Sequence, residues 1–204
     1  HRGEEACGVA VSRGGDLTVY RSLGTIDRML SSFMQNVGGD ADRGIIHNRY
    51  STSGPSDPMN IQPVFQGGIA LGHNGTIVNT ERLRSSYGNK YQLNTDIDSE
   101  LLACMFTEVN GNIADGCRKC CEQAVGAYNL VILNNRGEIG IFKDPRGFHP
   151  LSWGEMDGVI YSSSENIGLR SMGLYDSDEV APGQLILIRK DGRVEQITIK
   201  EPEE

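Results

Sequence analysis

Short apolar runs alternate with stretches of helical spacing along this chain. Ala6 to Val11 reads as a strand, and Gly14-Gly15-Asp16 turns it into a second strand, Leu17 to Tyr20. Between Thr25 and Val37, the residues Ile26, Met29, Leu30, Phe33 and Met34 recur at helical spacing, and Gly38-Gly39 stops the run. Gly44 to Ile46 and Ile69 to Leu71 are two short apolar runs that end in polar residues, as buried strands do when they deliver polar side chains at their ends. Asn79 predicts an N-cap for a helix from Glu81 to Tyr87 that Gly88 closes. Asp96 or Asp98 predicts the cap of the next helix, with Leu101, Leu102, Met105, Phe106 and Val109 along one face. A further helix runs from Ile113 to about Val125.

The period then falls to two. Tyr128 to Leu133, Glu138 to Phe142 and Val159 to Ser163 read as strands, and Asn134-Asn135-Arg136-Gly137 as a hairpin turn. Glu165 to Met172 suits a short helix. Gln184 to Ile188 and Val194 to Ile199 form a last hairpin around Asp191-Gly192. Hairpins, then helices, then hairpins predict an α+β protein with antiparallel sheets and helices segregated to the outer faces. No internal repeat, low-complexity tract or linker divides the chain, so residues 1–204 read as a single domain.

Composition narrows the partners. The 204 residues suffice for a two-layer core, and 38% hydrophobic with 23% charged residues is the balance of a folded protein. The net charge of −8, with no basic patch, argues against a nucleic-acid partner. No apolar run approaches the roughly 20 residues of a membrane helix, and the N-terminus lacks a secretion signal, so no membrane partner is predicted. Five unevenly spaced cysteines do not form a disulfide framework and suit a reducing, cytoplasmic location.

Candidate chemistry centres on Ile45 to Gly75. Arg49 follows one apolar run; its guanidinium fork can hold a carboxylate at two points. Asn74-Gly75 follows the other; a side-chain amide and a glycine N–H can aim two donors at one oxygen. Each has a plainer reading. Asn-Gly between apolar runs is a strong signal for a type I′ hairpin turn, and arginine is commonest in surface ion pairs. His47 and His73, near strand ends, read as hydrogen-bonded structural histidines. Thr95-Asp96-Ile97-Asp98-Ser99-Glu100 puts three acids at a helix start, which for Asp96 means capping; Asp98 either caps or meets a substrate ammonium. Cys117-Arg118-Lys119-Cys120-Cys121 contains a C-x-x-C without the further ligands a zinc site needs, so neither metal nor cofactor is predicted. Gly67-Gly68 and Gly72 lack the ending of a phosphate loop. Cys7 reads as a small buried thiol on a strand.

Taken together these segments resemble the class II glutamine amidotransferases, and within them the amidophosphoribosyltransferase branch. The likeness runs over almost the whole chain. His1-Arg2-Gly3-Glu4-Glu5, His47-Asn48-Arg49-Tyr50-Ser51-Thr52, Asn60-Ile61-Gln62-Pro63 and His73-Asn74-Gly75-Thr76-Ile77-Val78-Asn79 follow in the family's order. Asp98-Ser99-Glu100, Gly126-Ala127-Tyr128, Asp144 to Leu151 with His149 where arginine is usual, Ser164-Glu165 and Pro182-Gly183-Gln184 continue it. Tyr50 after the arginine, where the hexosamine-forming relatives usually have Trp, favours this branch, as does the Asp144 to Leu151 run.

The resemblance implies an N-terminal-nucleophile hydrolase-like fold, a four-layer αββα sandwich of two mainly antiparallel sheets. It implies a glutaminase that binds L-glutamine and releases ammonia for an acceptor, phosphoribosyl pyrophosphate in the first step of purine synthesis. Arg49 would bind the glutamine α-carboxylate, with Tyr50 beside it in the substrate site. Asp98 would bind the α-ammonium, and Asn74 with the Gly75 N–H would form the oxyanion hole. In the family the nucleophile is an N-terminal cysteine on a strand upstream of the His-Arg-Gly segment. That strand and the phosphoribosyltransferase domain are not in these 204 residues, so an acceptor domain or subunit is expected as partner, and the chain admits a homo-oligomer. Without that cysteine the residues given are expected to be inactive. Two other readings remain at this point: a glutamine-binding regulatory module without a nucleophile, and a hydrolase that uses Cys7.

Overall fold

The structure, a computed structural model, describes residues 5–36, 41–49 and 58–203. A hairpin opens it, β1 (Ala6–Arg13) and β2 (Asp16–Leu23), turned at Gly14 and Gly15, both at positive φ. Helix α1 (Ile26–Asn36) leads to β3 (Arg43–Arg49), which pairs with the other side of β1. A 3₁₀ turn at Pro58–Asn60 precedes β4 (Val64–Gln66) and β5 (Ile69–Ile77). Three helices follow: α2 (Thr80–Tyr87), α3 (Asp98–Glu108) and α4 (Ile113–Gln123). The second half holds β6 (Gly126–Asn134), β7 (Ile139–Lys143), β8 (Ser152–Met156), β9 (Val159–Ser163) and α5 (Asn166–Ser171). It ends with β10 (Asp178–Glu179), β11 (Gln184–Ile188) and β12 (Val194–Thr198).

These strands make a six-stranded sheet in the order β12-β11-β7-β6-β5-β4 and two three-stranded sheets, β2-β1-β3 and β10-β8-β9. Every pairing is antiparallel. The period-two pattern assigns the faces. Ile69, Leu71 and Ile77 of β5 pack with Tyr128, Leu130 and Ile132 of β6 against α3 and its neighbours. Ala70 and Leu133, on the opposite face, meet Ala10 and Ile45 of the first small sheet. That sheet turns Cys7, Val9 and Val11 outward onto Met29 and Phe33 of α1. Ile141 and Ile186 of the large sheet pack on Leu151 and Val180, which flank and border the other small sheet. The layers therefore run α1, small sheets, large sheet, α2 to α4, an αββα sandwich.

Local expectation and structure part company in places. Asn74-Gly75 is not a turn: β5 runs on to Ile77 because β6 offers a partner along its whole length, from Ile69 opposite Asn134 to Ile77 opposite Gly126. Helix α3 does not bury one face; every residue from Ser99 to Phe106 is buried, because sheet, α2 and α4 enclose it. Its N-cap is Ile97, without a side-chain cap, so neither Asp96 nor Asp98 serves there. Asn79 precedes α2 but does not cap it with its side chain. Instead its Nδ2 donates to the Gln123 carbonyl and its Oδ1 accepts from the Val125 N–H, tying the start of α2 to the end of α4.

Candidate active site

The two small sheets lie on the same face of the large sheet, and a cleft of about 700 Å³ opens there. Its floor is β5 and β6, through Gly72 to Gly75 and Asn129 to Val131; its sides include Ile46 to Asn48 of β3 and Ser162 and Ser163 of β9. Asp98 reaches it from the start of α3. Strands β3 and β9 are each the edge of their sheet.

Asn74, Gly75 and Asp98, distant in sequence, thus share one cleft. Gly75 is glycine for a reason unrelated to turning. Its φ is 151°, and a Cβ there would sit 1.9 Å from the Ala127 carbonyl oxygen of the neighbouring strand. Arg49 is the last residue of β3, opposite Ala6 of β1. Tyr50 lies outside the described residues.

Two side chains hold the floor in register beyond the short edge strand β4. The His73 N–H donates to Gln62 Oε1 at 2.7 Å, and the His73 carbonyl accepts from His47 Nε2 at 3.1 Å. They pair the backbone next to Asn74 where no strand does, which fixes where that side chain stands. The histidine of the His47–Thr52 segment is therefore the clamp between β3 and β5, and Gln62 of the Asn60–Pro63 segment is its companion.

Asp98 is partly buried, which disfavours its charge, yet its carboxyl is held below the usual carboxylate value by its hydrogen bonds with His73 and with the Ile77 and Ser99 N–H groups. Oδ2 accepts from the Ile77 N–H at 3.0 Å. A fixed carboxylate, an amide side chain and a glycine N–H on one cleft are groups that can orient a zwitterionic amino acid and polarise an amide. Glu100, two residues on, is turned away from the cleft: it accepts from the Asn94 and Thr95 N–H groups and the Thr95 hydroxyl, and binds the preceding loop to α3.

Among the described residues no cysteine lines the cleft. Cys7 is wholly buried on the α1 side of β1, and burial raises its thiol pKa. Cys104, Cys117 and Cys120 are buried in the helical layer, the last two with pKa values pushed well above the ordinary thiol by burial. These are poor nucleophiles. Among the described residues no cluster of three or more His, Cys, Asp or Glu is arranged to hold a metal ion, and no helix is long and apolar enough to cross a membrane.

The likeness to known proteins bears directly on this cleft. The family model of the glutamine amidotransferase domain matches residues 47–170, which include β3, the floor and α3. The chain is 34% identical over 203 residues to the amidophosphoribosyltransferase of Methanocaldococcus jannaschii, covering 95% of this chain and 42% of that protein. It is 31% identical to that of Archaeoglobus fulgidus, covering 100% of this chain and 45% of the relative. The solved structure of the Bacillus subtilis glutamine phosphoribosylpyrophosphate amidotransferase superposes with a TM-score of 0.82 at 28% identity, over 98% of this chain and 44% of that one. The chain thus spans less than half the length of these relatives. It belongs to the family of class II glutamine amidotransferase domains.

Proposed function

We propose that the cleft binds L-glutamine and supports hydrolysis of its side-chain amide, releasing ammonia for transfer to an acceptor. The acceptor in the whole protein is phosphoribosyl pyrophosphate, by the names of the relatives, which makes the reaction the entry to purine synthesis. The observation that carries the reading is the placement of Asn74-Gly75 in mid-strand on the cleft that Asp98 enters, where a turn would have put it at a surface. Arg49 takes the α-carboxylate through its fork, and Asp98 takes the α-ammonium. Asn74 Nδ2 and the Gly75 N–H receive the amide oxygen as it becomes negative.

The covalent step needs a cysteine. Its sulfur bonds to the amide carbon, the C–N bond breaks, and nitrogen leaves as ammonia with the thiol proton; water then cleaves the thioester to glutamate and restores the thiol. An extended segment between the edges of β3 and β9 would bring such a cysteine to the amide carbon beside Asn74 and Gly75. Titration calorimetry tests the binding half. L-Glutamine should bind the domain, and Asp98→Asn should weaken it by about tenfold or more, the usual worth of a charge-assisted hydrogen bond. Absence of binding by the unsubstituted protein would exclude the reading.

A further inference from the structure

We propose that His73 is a positioning residue for the ligand's α-ammonium: it holds the Asp98 carboxylate in its place at the cleft, an inference that rests on the glutamine reading above. His73 precedes Asn74 on β5, so its side chain goes to the other face of the strand, toward α3. There Nδ1 stands 3.4 Å from Asp98 Oδ1 and 3.2 Å from Ser99 Oγ. Ser99 Oγ in turn donates to the same carboxylate oxygen at 3.4 Å. The Ile77 N–H holds the other oxygen at 3.0 Å. The carboxylate is therefore fixed from behind at both oxygens. The histidine side chain is 1% exposed while that of Asp98 is 22% exposed, so Asp98 alone of the pair presents itself to a ligand.

The ring's other nitrogen supports this assignment. Nε2 is buried and has no hydrogen-bond partner among the described residues. A proton there would be a buried donor without an acceptor, a costly arrangement. The site accommodates the tautomer with the proton on Nδ1, where the carboxylate and the serine receive it. Nε2 lies beside Gly75: a Cβ at Gly75 would come within 3.0 Å of it. One ring thus fills the space between the backbone of the oxyanion donors and the carboxylate of the ammonium site. The clamp of Gln62 and His47 on the His73 backbone keeps that ring from shifting along the strand. The spacing of ammonium site and oxyanion site is thus set through His73.

A histidine that merely packs α3 onto β5 would affect every ligand alike. The test therefore compares L-glutamine with 4-carbamoylbutanoate, the same molecule without its amino group. Calorimetric titrations of both are run on the unsubstituted protein, His73→Phe, His73→Asn and Ser99→Ala. The unsubstituted protein should prefer L-glutamine. His73→Phe should lose about tenfold on L-glutamine and little on the analogue, in line with loss of a charge-assisted hydrogen bond. His73→Asn, whose amide nitrogen falls near the Nδ1 position, should recover most of the loss. An unchanged ratio between the two ligands in His73→Phe, whether both weaken or neither does, overturns the inference. If His73→Phe does not fold by circular dichroism, Ser99→Ala decides: a narrowed ratio supports the inference and an unchanged one overturns it. An unsubstituted protein that binds neither ligand overturns the glutamine reading and this inference with it. One that prefers glutamine while the variants keep the same preference overturns this inference alone.

Discussion

A guanidinium and an ammonium carry the same charge but not the same geometry, and Arg49 is where the difference can be measured. It closes β3, whose register on β1 is fixed from Arg43 to Arg49. An arginine meets a carboxylate through two parallel N–H bonds, whereas a lysine meets it as a single point charge. Arg49→Lys should therefore weaken L-glutamine binding by about tenfold although the charge is kept, since one charge-assisted bond is lost. Equal affinity by calorimetry would remove Arg49 from the site. The same distinction between charge and geometry separates Asp98 from Glu100. Both are acids in the first turn of α3, where negative charge suits the helix dipole. Glu100 spends its oxygens on the preceding loop, and only Asp98 lines the cleft.

At the scale of elements, the two outer hairpins, the helices and the centre strands of the large sheet could be read from spacing alone. Gln184–Ile188 and Val159–Ser163 have the bounds their apolar runs predict. Strands β4 and β8 were illegible because they owe their form to partners: Val64–Gln66 is three residues long, and Ser152–Met156 has Gly154 and Glu155 in its middle. The turn preference of Asn74-Gly75 lost to nine residues of pairing with β6, the general case of tertiary context overriding a local propensity. The candidate residues were visible one by one. The role of His73 was not, because its partners Asp98 and Ser99 are supplied by a helix some 26 residues later.

Two predictions belong to the helical layer. Gly116 of α4 lies against the ring of buried Phe106 on α3, and a Cβ there would sit 2.1 Å from Cδ1. Alanine improves helix propensity by about 1 kcal/mol over glycine, but overpacking a rigid core costs about 1–3 kcal/mol. Gly116→Ala should therefore lower stability in denaturant titration, the reverse of what an exposed helix position would show. Glu108, at the end of α3, receives Lys90 at 2.5 Å and Lys119 at 3.0 Å, with the Tyr87 hydroxyl at 3.1 Å. Hydrogen bonds from the two lysines lower its pKa from 4.5 to about 2. A depressed carboxyl contributes stability that is full above the unfolded value and is lost as pH falls through the folded one. Its partner Lys90 is half-exposed, so solvent screens the pair and the contribution is at most about 1 kcal/mol. The difference in unfolding free energy between the unsubstituted protein and Glu108→Gln should be present at pH 7 and should shrink between pH 4.5 and 2. A difference that is unchanged at pH 3 would show that the lysines contribute nothing through charge.

For the molecule as a whole, the layers keep the proposed binding groups and the thiols apart. Asn74, Gly75 and Asp98 meet in the cleft between the small sheets and the large one. Cys7 lies under α1, and Cys104, Cys117 and Cys120 lie under the helical layer, all buried. Cys121 is half-buried at a separate small pocket, and burial lifts its pKa to about 11. A thiol reacts as its thiolate, so none of the five combines reach with reactivity at neutral pH. Binding groups and an oxyanion hole can orient and polarise an amide, and in other acyl-transfer enzymes they keep roughly 10³–10⁴-fold over water when the nucleophile is lost. Residues 1–204 alone should therefore release glutamate from glutamine only at such a residual rate. A protein that adds an extended segment with a cysteine next to the edges of β3 and β9 should turn over at ordinary enzyme rates. Glutamate release is measured for both, together with iodoacetamide labelling of the shorter protein, in which Cys121 should react before Cys7. Comparable turnover by the two proteins, with Cys7 labelled first and activity lost as it reacts, would place the nucleophile on β1 and refute the arrangement of the cleft described above.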